Sequence, residues 1–74
     1  GCELVEAPFG GVVWKLEIAE GDTVVPGQTV AILEAMKMES PVPSPLGGVV
    51  RRVYVAERQP VSPGAAMFAL EPAA

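Results

Sequence analysis

The 74-residue chain contains no histidine and a single cysteine, Cys2. Without histidine there can be no Ser-His-Asp or Cys-His relay, and one thiol can build neither a disulfide framework nor a zinc cluster. Cys2 sits one residue from the start and reads as an incidental free thiol. Basic residues are scarce as well: five Lys and Arg stand against nine Asp and Glu, a formal charge of −4. Arg51-Arg52 is the only adjacent basic pair, which excludes the clustered cations of a nucleic-acid surface. No apolar run approaches the roughly 20 residues that a membrane helix needs, so no membrane partner is expected. No secretory leader pattern opens the chain, and the cytoplasm is the expected compartment, or a mitochondrion in a eukaryote. Residues 1–74 therefore read as one small domain with a narrow stability margin, expected to be a piece of a larger polypeptide.

What the chain does contain, it contains twice. "APFGGVVWKLEIAEGDTVVPGQTVAILEA" from Ala7 aligns without gaps to "SPLGGVVRRVYVAERQPVSPGAAMFALEP" from Ser44, 37 positions later. Pro8 falls on Pro45 and Gly10-Gly11-Val12-Val13 on Gly47-Gly48-Val49-Val50. Ala19-Glu20 falls on Ala56-Glu57, Pro26-Gly27 on Pro63-Gly64, and Leu33-Glu34 on Leu70-Glu71. Two copies are too few for a solenoid, so the expectation is two halves packed face to face about a pseudo-two-fold axis.

Each half reads as strands. Val12, Trp14, Leu16 and Ile18 alternate with Val13, Lys15 and Glu17, a period of two that directs one set to a core. In the second half Val49, Val53 and Val55 hold the inward register, while Arg52 and Tyr54 point out. Arg51 replaces Trp14, which places that position near a rim, with Trp14 partly buried. The expected core is Val12, Leu16, Ile18, Val30, Ile32, Val49, Val53 and Leu70. Eight Gly and eight Pro interrupt the β-branched stretches and argue against helix. Val25-Pro26-Gly27-Gln28 and Ser62-Pro63-Gly64-Ala65 fit type II turns, in which Pro presets φ and Gly accepts a positive φ. Glu20-Gly21-Asp22 is a tight turn whose counterpart, Glu57-Arg58-Gln59, lacks the glycine. Either that turn is built differently or Arg58 adopts an uncommon backbone conformation. The whole reads as an all-β sandwich or flattened barrel.

The repeat also locates Lys37. Strand-like Val30–Ala35 and Glu39–Val42 flank it at the junction of the halves, so it belongs at or beside the tip of a tight hairpin. Its symmetric position is 74, which places both termini at the opposite pole. Taken alone, Lys37 would be a solvated turn lysine, with Met36 and Met38 as gap fillers in the core. Yet a turn has little use for two flexible apolar side chains, and methionine suits a surface that fits a partner's groove.

Ala35-Met36-Lys37-Met38 resembles the attachment motif of the biotinyl/lipoyl carrier family, in particular the biotin carboxyl carrier domains of biotin-dependent carboxylases. The opening at Pro8, "EGDTVVPG" from Glu20 to Gly27, and Pro45 with Gly47-Gly48 match the same family, so the resemblance spans nearly the whole chain. It implies two four-stranded antiparallel sheets with the modified lysine on an exposed hairpin. It also implies that Lys37 carries covalent biotin, with Ala35, Met36, Met38 and Glu39 recognised by a biotin protein ligase. Neither a catalytic residue nor a metal ligand is implied.

The partners implied are that ligase, a biotin carboxylase domain and a carboxyltransferase domain. Lipoyl carriers share the fold, but their lysine typically follows Asp and precedes a small residue, where this chain has Met36 and Met38. The alternatives are thus a lipoyl-type carrier of an oxidative complex or an unmodified β-sandwich docking module. The gapless repeat leaves no room for the "thumb" insertion of some acetyl-CoA carboxylase carriers, which suggests a multidomain carboxylase. "GGVVWKLEIAEGDTV" is most similar to urea carboxylase carriers, with Trp14 the distinguishing feature. The same core pattern occurs in pyruvate, acyl-CoA and oxaloacetate-handling carboxylases. Glu34 and Glu39, close to the lysine, read as a solvated face rather than a catalytic pair.

Overall fold

The computed structural model describes residues 1–73 and contains eight strands. They are β1 (Glu3–Glu6), β2 (Gly11–Leu16), β3 (Thr23–Val24), β4 (Thr29–Ala35), β5 (Met38–Pro43), β6 (Gly48–Val53), β7 (Pro60–Val61) and β8 (Ala66–Pro72). Two antiparallel four-stranded sheets form, ordered β1-β8-β6-β3 and β5-β4-β2-β7. A shift of 37 positions carries β2 onto β6, β3 onto β7 and β4 onto β8, residue for residue. It therefore carries one sheet onto the other. The bridge Leu33↔Ser40 repeats as Glu3↔Leu70, and Val13↔Leu33 repeats as Val50↔Leu70.

This corrects the expected packing of the halves. Each half gives two strands to each sheet, so the sheets stack face to face while the halves interleave. The reason is that β1 pairs with the distant β8, and β2 with the distant β7. Neither half presents a closed sheet of its own.

The expected core also needs correction. Val13 and Val50 are fully buried, whereas Val12 and Val49 lie half-buried on the outer faces. A bulge between Val13 and Lys15, repeated between Val50 and Arg52, inserts one residue and reverses the inward phase along the strand. Leu16 and Val53 beyond the bulge pack against the core as expected, and Trp14 and Arg51 occupy the bulges. In β4 the core positions are Val30, Ala31 and Leu33, while Ile32 faces outward and is half-buried. Phe68, Leu33, Met67, Leu70, Val13, Val24, Val30 and Val50 fill the space between the sheets. Each large side chain buried there stabilises the fold by about 1.5–3 kcal/mol relative to exposure.

The turns explain the repeated residues. Gly27 and Gly64 have φ of 85° and 83°, and Gln28 and Ala65 donate their N–H to Val25 and Ser62 carbonyls, closing both type II turns. Glu57 accepts the Leu16 N–H at 3.1 Å and Glu20 accepts the Val53 N–H at 3.3 Å, positions 37 apart on both sides of each bond. The Ala-Glu pair thus recurs because each carboxylate satisfies the strand end of the other half. Arg58 does adopt the left-handed conformation, at φ 71°, in the turn equivalent to the one where Gly21 sits at 94°. Gly21 donates to the Val50 carbonyl and Arg58 to the Val13 carbonyl, so both turns are pinned alike despite the different side chain.

Candidate functional site at the β4–β5 hairpin

β4 and β5 pair from Ala31↔Val42 to Ala35↔Met38, leaving only Met36 and Lys37 to connect them. A two-residue hairpin loop that matches strand twist needs positive φ at both positions, as in a type I′ turn. Met36 and Lys37 have φ of 51° and 66°. Asn-Gly satisfies this geometry at little expense, whereas ordinary side chains in the left-handed region cost roughly 1–2 kcal/mol each. The chain therefore holds two unfavourable residues at its tip, the kind of local conflict that clusters at functional positions.

The expected site residues are all at this tip. Lys37 is exposed, and Met36 and Met38 are 95% and 70% exposed, too open to fill gaps in a core. Ala35 is half-buried at the end of β4, and Glu39 is exposed directly opposite Glu34. Lys37 takes part in no ion pair among the described residues, so its amine is free to react. Glu34 and Glu39 face each other as like charges in water, a mildly destabilising pair with no surrounding cleft. Among the described residues no cluster of His, Cys, Asp or Glu is placed to hold a metal. A surface groove lined by Leu4, Val5, Glu6, Pro8, Val42 and Pro43 lies between edge strands β1 and β5 and includes no tip residue.

The hairpin stands at one end of a molecule measuring 38 × 18 × 17 Å. Gly11 touches its base, pairs with Val61, and is followed back to Gly10, which packs on Pro63. β8 leaves from that same end, because Ala65 accepts a bond from Ala7 and Ala66 pairs with Glu6. Seven strand residues then carry the chain about 20 Å away. Pro72 and the neighbouring start of β1 lie at the far end, as expected of the termini. Position 74 itself lies outside the described residues.

Two features of the site escaped the sequence reading. The first is the close approach of Gly11 to the Glu34 carbonyl, which holds the hairpin base against β2; the repeated Gly-Gly was its visible signal. The second is Arg58, whose guanidinium carbon lies 5.4 Å from the centroid of the Trp14 ring. The missing glycine flagged its backbone, but nothing in the sequence paired it with Trp14.

Comparison with known proteins agrees with this geometry. Residues 3–70 match the Biotin_lipoyl family model, described as "Biotin-requiring enzyme". The chain is 58% identical over 36 residues to the methylmalonyl-CoA carboxyltransferase 1.3S subunit of Propionibacterium freudenreichii subsp. shermanii, covering 49% of this chain and 29% of that one. It is 55% identical over 40 residues to the biotin-dependent acyl-coenzyme A carboxylase alpha3 subunit of Mycobacterium leprae, covering 54% of this chain and 7% of that one. Its fold superposes on the urea carboxylase of Kluyveromyces lactis with a TM-score of 0.87 and 31% identity, covering 96% of this chain and 6% of that chain. The chain thus spans less than a third of the length of each. With its paired sheets and its exposed lysine hairpin inside the matched region, the chain belongs to the family of biotin-requiring enzymes.

Proposed function

We propose that this domain is a biotin carboxyl carrier of a biotin-dependent carboxylase, and that Lys37 is the residue a biotin protein ligase modifies. The observation that carries this reading is the presentation of the lysine. It sits on a two-residue turn with positive φ at both positions, Met36 and Lys37 itself, and is flanked by methionines that are 95% and 70% exposed. An amine to be acylated by a second protein must protrude from the surface and stay out of ion pairs, as Lys37 does among the described residues.

The residues divide the work by position. The Lys37 amine would form an amide with the biotin carboxyl group, which removes its charge. Met36, Met38, Ala35 and Glu39 would form the surface the ligase reads, the methionines supplying adaptable apolar contact. When attached, biotin supplies a ureido nitrogen that carries the carboxyl group in transit. Lysine stem and valeryl chain together reach on the order of 14 Å from the backbone. The domain itself contributes tethering, presenting the arm at one end while the chain is held at the other. Tethering turns encounters with separate active sites into intramolecular events at high effective concentration. A biotin carboxylase domain and a carboxyltransferase domain are the two stations, in a larger multidomain protein of the cytoplasm.

The relatives named above handle different acceptors, so the hairpin is shared across several reactions. The acceptor is set by the carboxyltransferase partner, and urea is one acceptor within that set. Co-expression with a biotin protein ligase tests the reading. Intact mass should rise by one biotin in the wild type and not in Lys37→Arg. A lipoyl adduct, or no adduct with active ligase present, would favour the lipoyl carrier or the unmodified docking module instead.

A further inference from the structure

The chain has three methionines, and the fold treats them in opposite ways. Met67 lies in β8 at the position equivalent to Val30, and both are fully buried between the sheets. Met36 and Met38 stand at the hairpin tip on either side of Lys37. Among the described residues the exposed large apolar side chains are Leu4, Val25, Met36, Met38 and Tyr54, and the two methionines are the most open of them. Packing does not call for methionine at the tip, since neither side chain fills space in the core. Leucine would supply apolar area of nearly the same volume. What it lacks is the thioether, which oxidants attack wherever they can reach it.

Exposure decides both where that reaction occurs and what it does. A sulfur lone pair attacks one oxygen of a peroxide and the O–O bond breaks. The departing hydroxide takes the proton from the new S–OH group and leaves as water, so the sulfur loses two electrons and the peroxide gains two. Met67 is closed to solvent and escapes. An oxygen added to Met67 would bury a polar group without a partner, whereas one added to Met36 or Met38 projects into water and displaces no core side chain. The fold and the exposure of Lys37 therefore survive oxidation at the tip. The change falls on the surface beside the amine, where two flexible apolar contacts become polar and chiral.

We propose that Met36 and Met38 form an oxidation site that switches Lys37 off as a ligase substrate. A peroxide converts the pair to methionine sulfoxides, and modification of the lysine slows until methionine sulfoxide reductases return the thioethers. Reduction consumes two thiols for each sulfoxide, yielding a disulfide and water, and both epimer-specific reductases are needed because the new sulfur centre is chiral. The proposal rests on the carrier reading above, in which the ligase reads these two side chains.

The test uses the apo protein carrying Cys2→Ser, which removes the exposed thiol as a competing target. The protein is treated with hydrogen peroxide, freed of it, and only then given to a biotin protein ligase, so the ligase never meets the oxidant. Peptide mapping should find oxygen on Met36 and Met38 and none on Met67, with the circular dichroism spectrum unchanged. Initial biotin incorporation should fall about tenfold, the scale of losing one apolar side-chain contact. The two reductases with a dithiol should restore the rate. A double variant, Met36→Leu with Met38→Leu, should not slow further on peroxide treatment, whatever rate it starts from. An unchanged rate once both methionines carry oxygen would overturn the proposal. So would equal slowing of the double variant, or oxidation of Met67 together with loss of the fold. Failure of the untreated protein to accept biotin would instead remove the carrier reading, and the intact mass registers that separately.

Discussion

Gly11 lies directly beneath Glu34: a Cβ built on Gly11 would come within 2.5 Å of the Glu34 carbonyl oxygen and 3.4 Å of the Ala35 Cβ. Its φ is not positive, so the requirement is space rather than backbone freedom. β2 can press against the hairpin base only because this residue has no side chain. Gly48 meets Glu71 in the same way in the other half. Gly11→Ala should destabilise the domain by about 1–3 kcal/mol through displacement of β4. Urea unfolding should show the loss, and the biotin incorporation rate should fall as the hairpin shifts. Stability within 0.5 kcal/mol of wild type, on the order of an ordinary surface change, would show that the sheet relaxes freely around an added methyl.

Lys37 should be the sole modification site. Lys15, the other lysine, lies within a strand with no exposed methionines beside it. Lys37→Arg should unfold at the same temperature as the wild type, since the side chain is exposed, and peptide mapping should find no biotin on it. Biotin on Lys15 in the wild type would contradict this.

The turn itself should respond to its backbone demand. Met36→Asn suits a positive φ better than methionine does, so it should stabilise the apo domain by up to about 1 kcal/mol. It should also slow biotin incorporation, because the exposed thioether is lost. Met36→Leu and Met38→Leu should alter stability by less than about 0.5 kcal/mol while changing the modification rate. Thermal unfolding paired with initial rates from mass spectrometry separates the two effects. A large stability loss with unchanged rates would make the methionines structural.

Truncation of neighbouring β4 residues should divide along the observed burial. Leu33 is fully buried, and Leu33→Ala should destabilise by about 2–5 kcal/mol. Ile32 faces outward and half-buried, so Ile32→Ala should cost about 1 kcal/mol. Equal losses in urea titrations would place both side chains in the core.

Arg58→Gly should leave the domain as stable as the wild type or more so. Relief of the left-handed conformation is worth roughly 1–2 kcal/mol, and the lost contact with Trp14 about 0.5–1 kcal/mol at an exposed site. Differential scanning calorimetry should find an equal or higher Tm. A fall of several degrees would show that Arg58 holds the turn together.

Much of this protein is determined by the sequence alone. The gapless repeat dictates matching strands, the Pro-Gly pairs dictate type II turns, and the junction of the halves places Lys37 at a hairpin tip. These signals are local: they depend on preset φ values and on short-range pairing, which residue types report directly. The missing glycine at Arg58 left two options, a differently built turn or an uncommon backbone, and the structure takes the second, at φ 71°.

Tertiary structure decided the rest. The bulges at Trp14 and Arg51 reverse the inward phase, so Val13 and Val50 took the core positions that simple alternation assigns to Val12 and Val49. A one-residue insertion is invisible in a hydrophobic pattern when valines occupy both candidate positions. The interleaving of the halves was hidden too, because two repeats are equally compatible with separate sheets or shared ones. Only the long-range pairing of β1 with β8 and β2 with β7 selects the shared arrangement. The meeting of Trp14 with Arg58 follows from that pairing, since β7 brings the Arg58 turn alongside the β2 bulge.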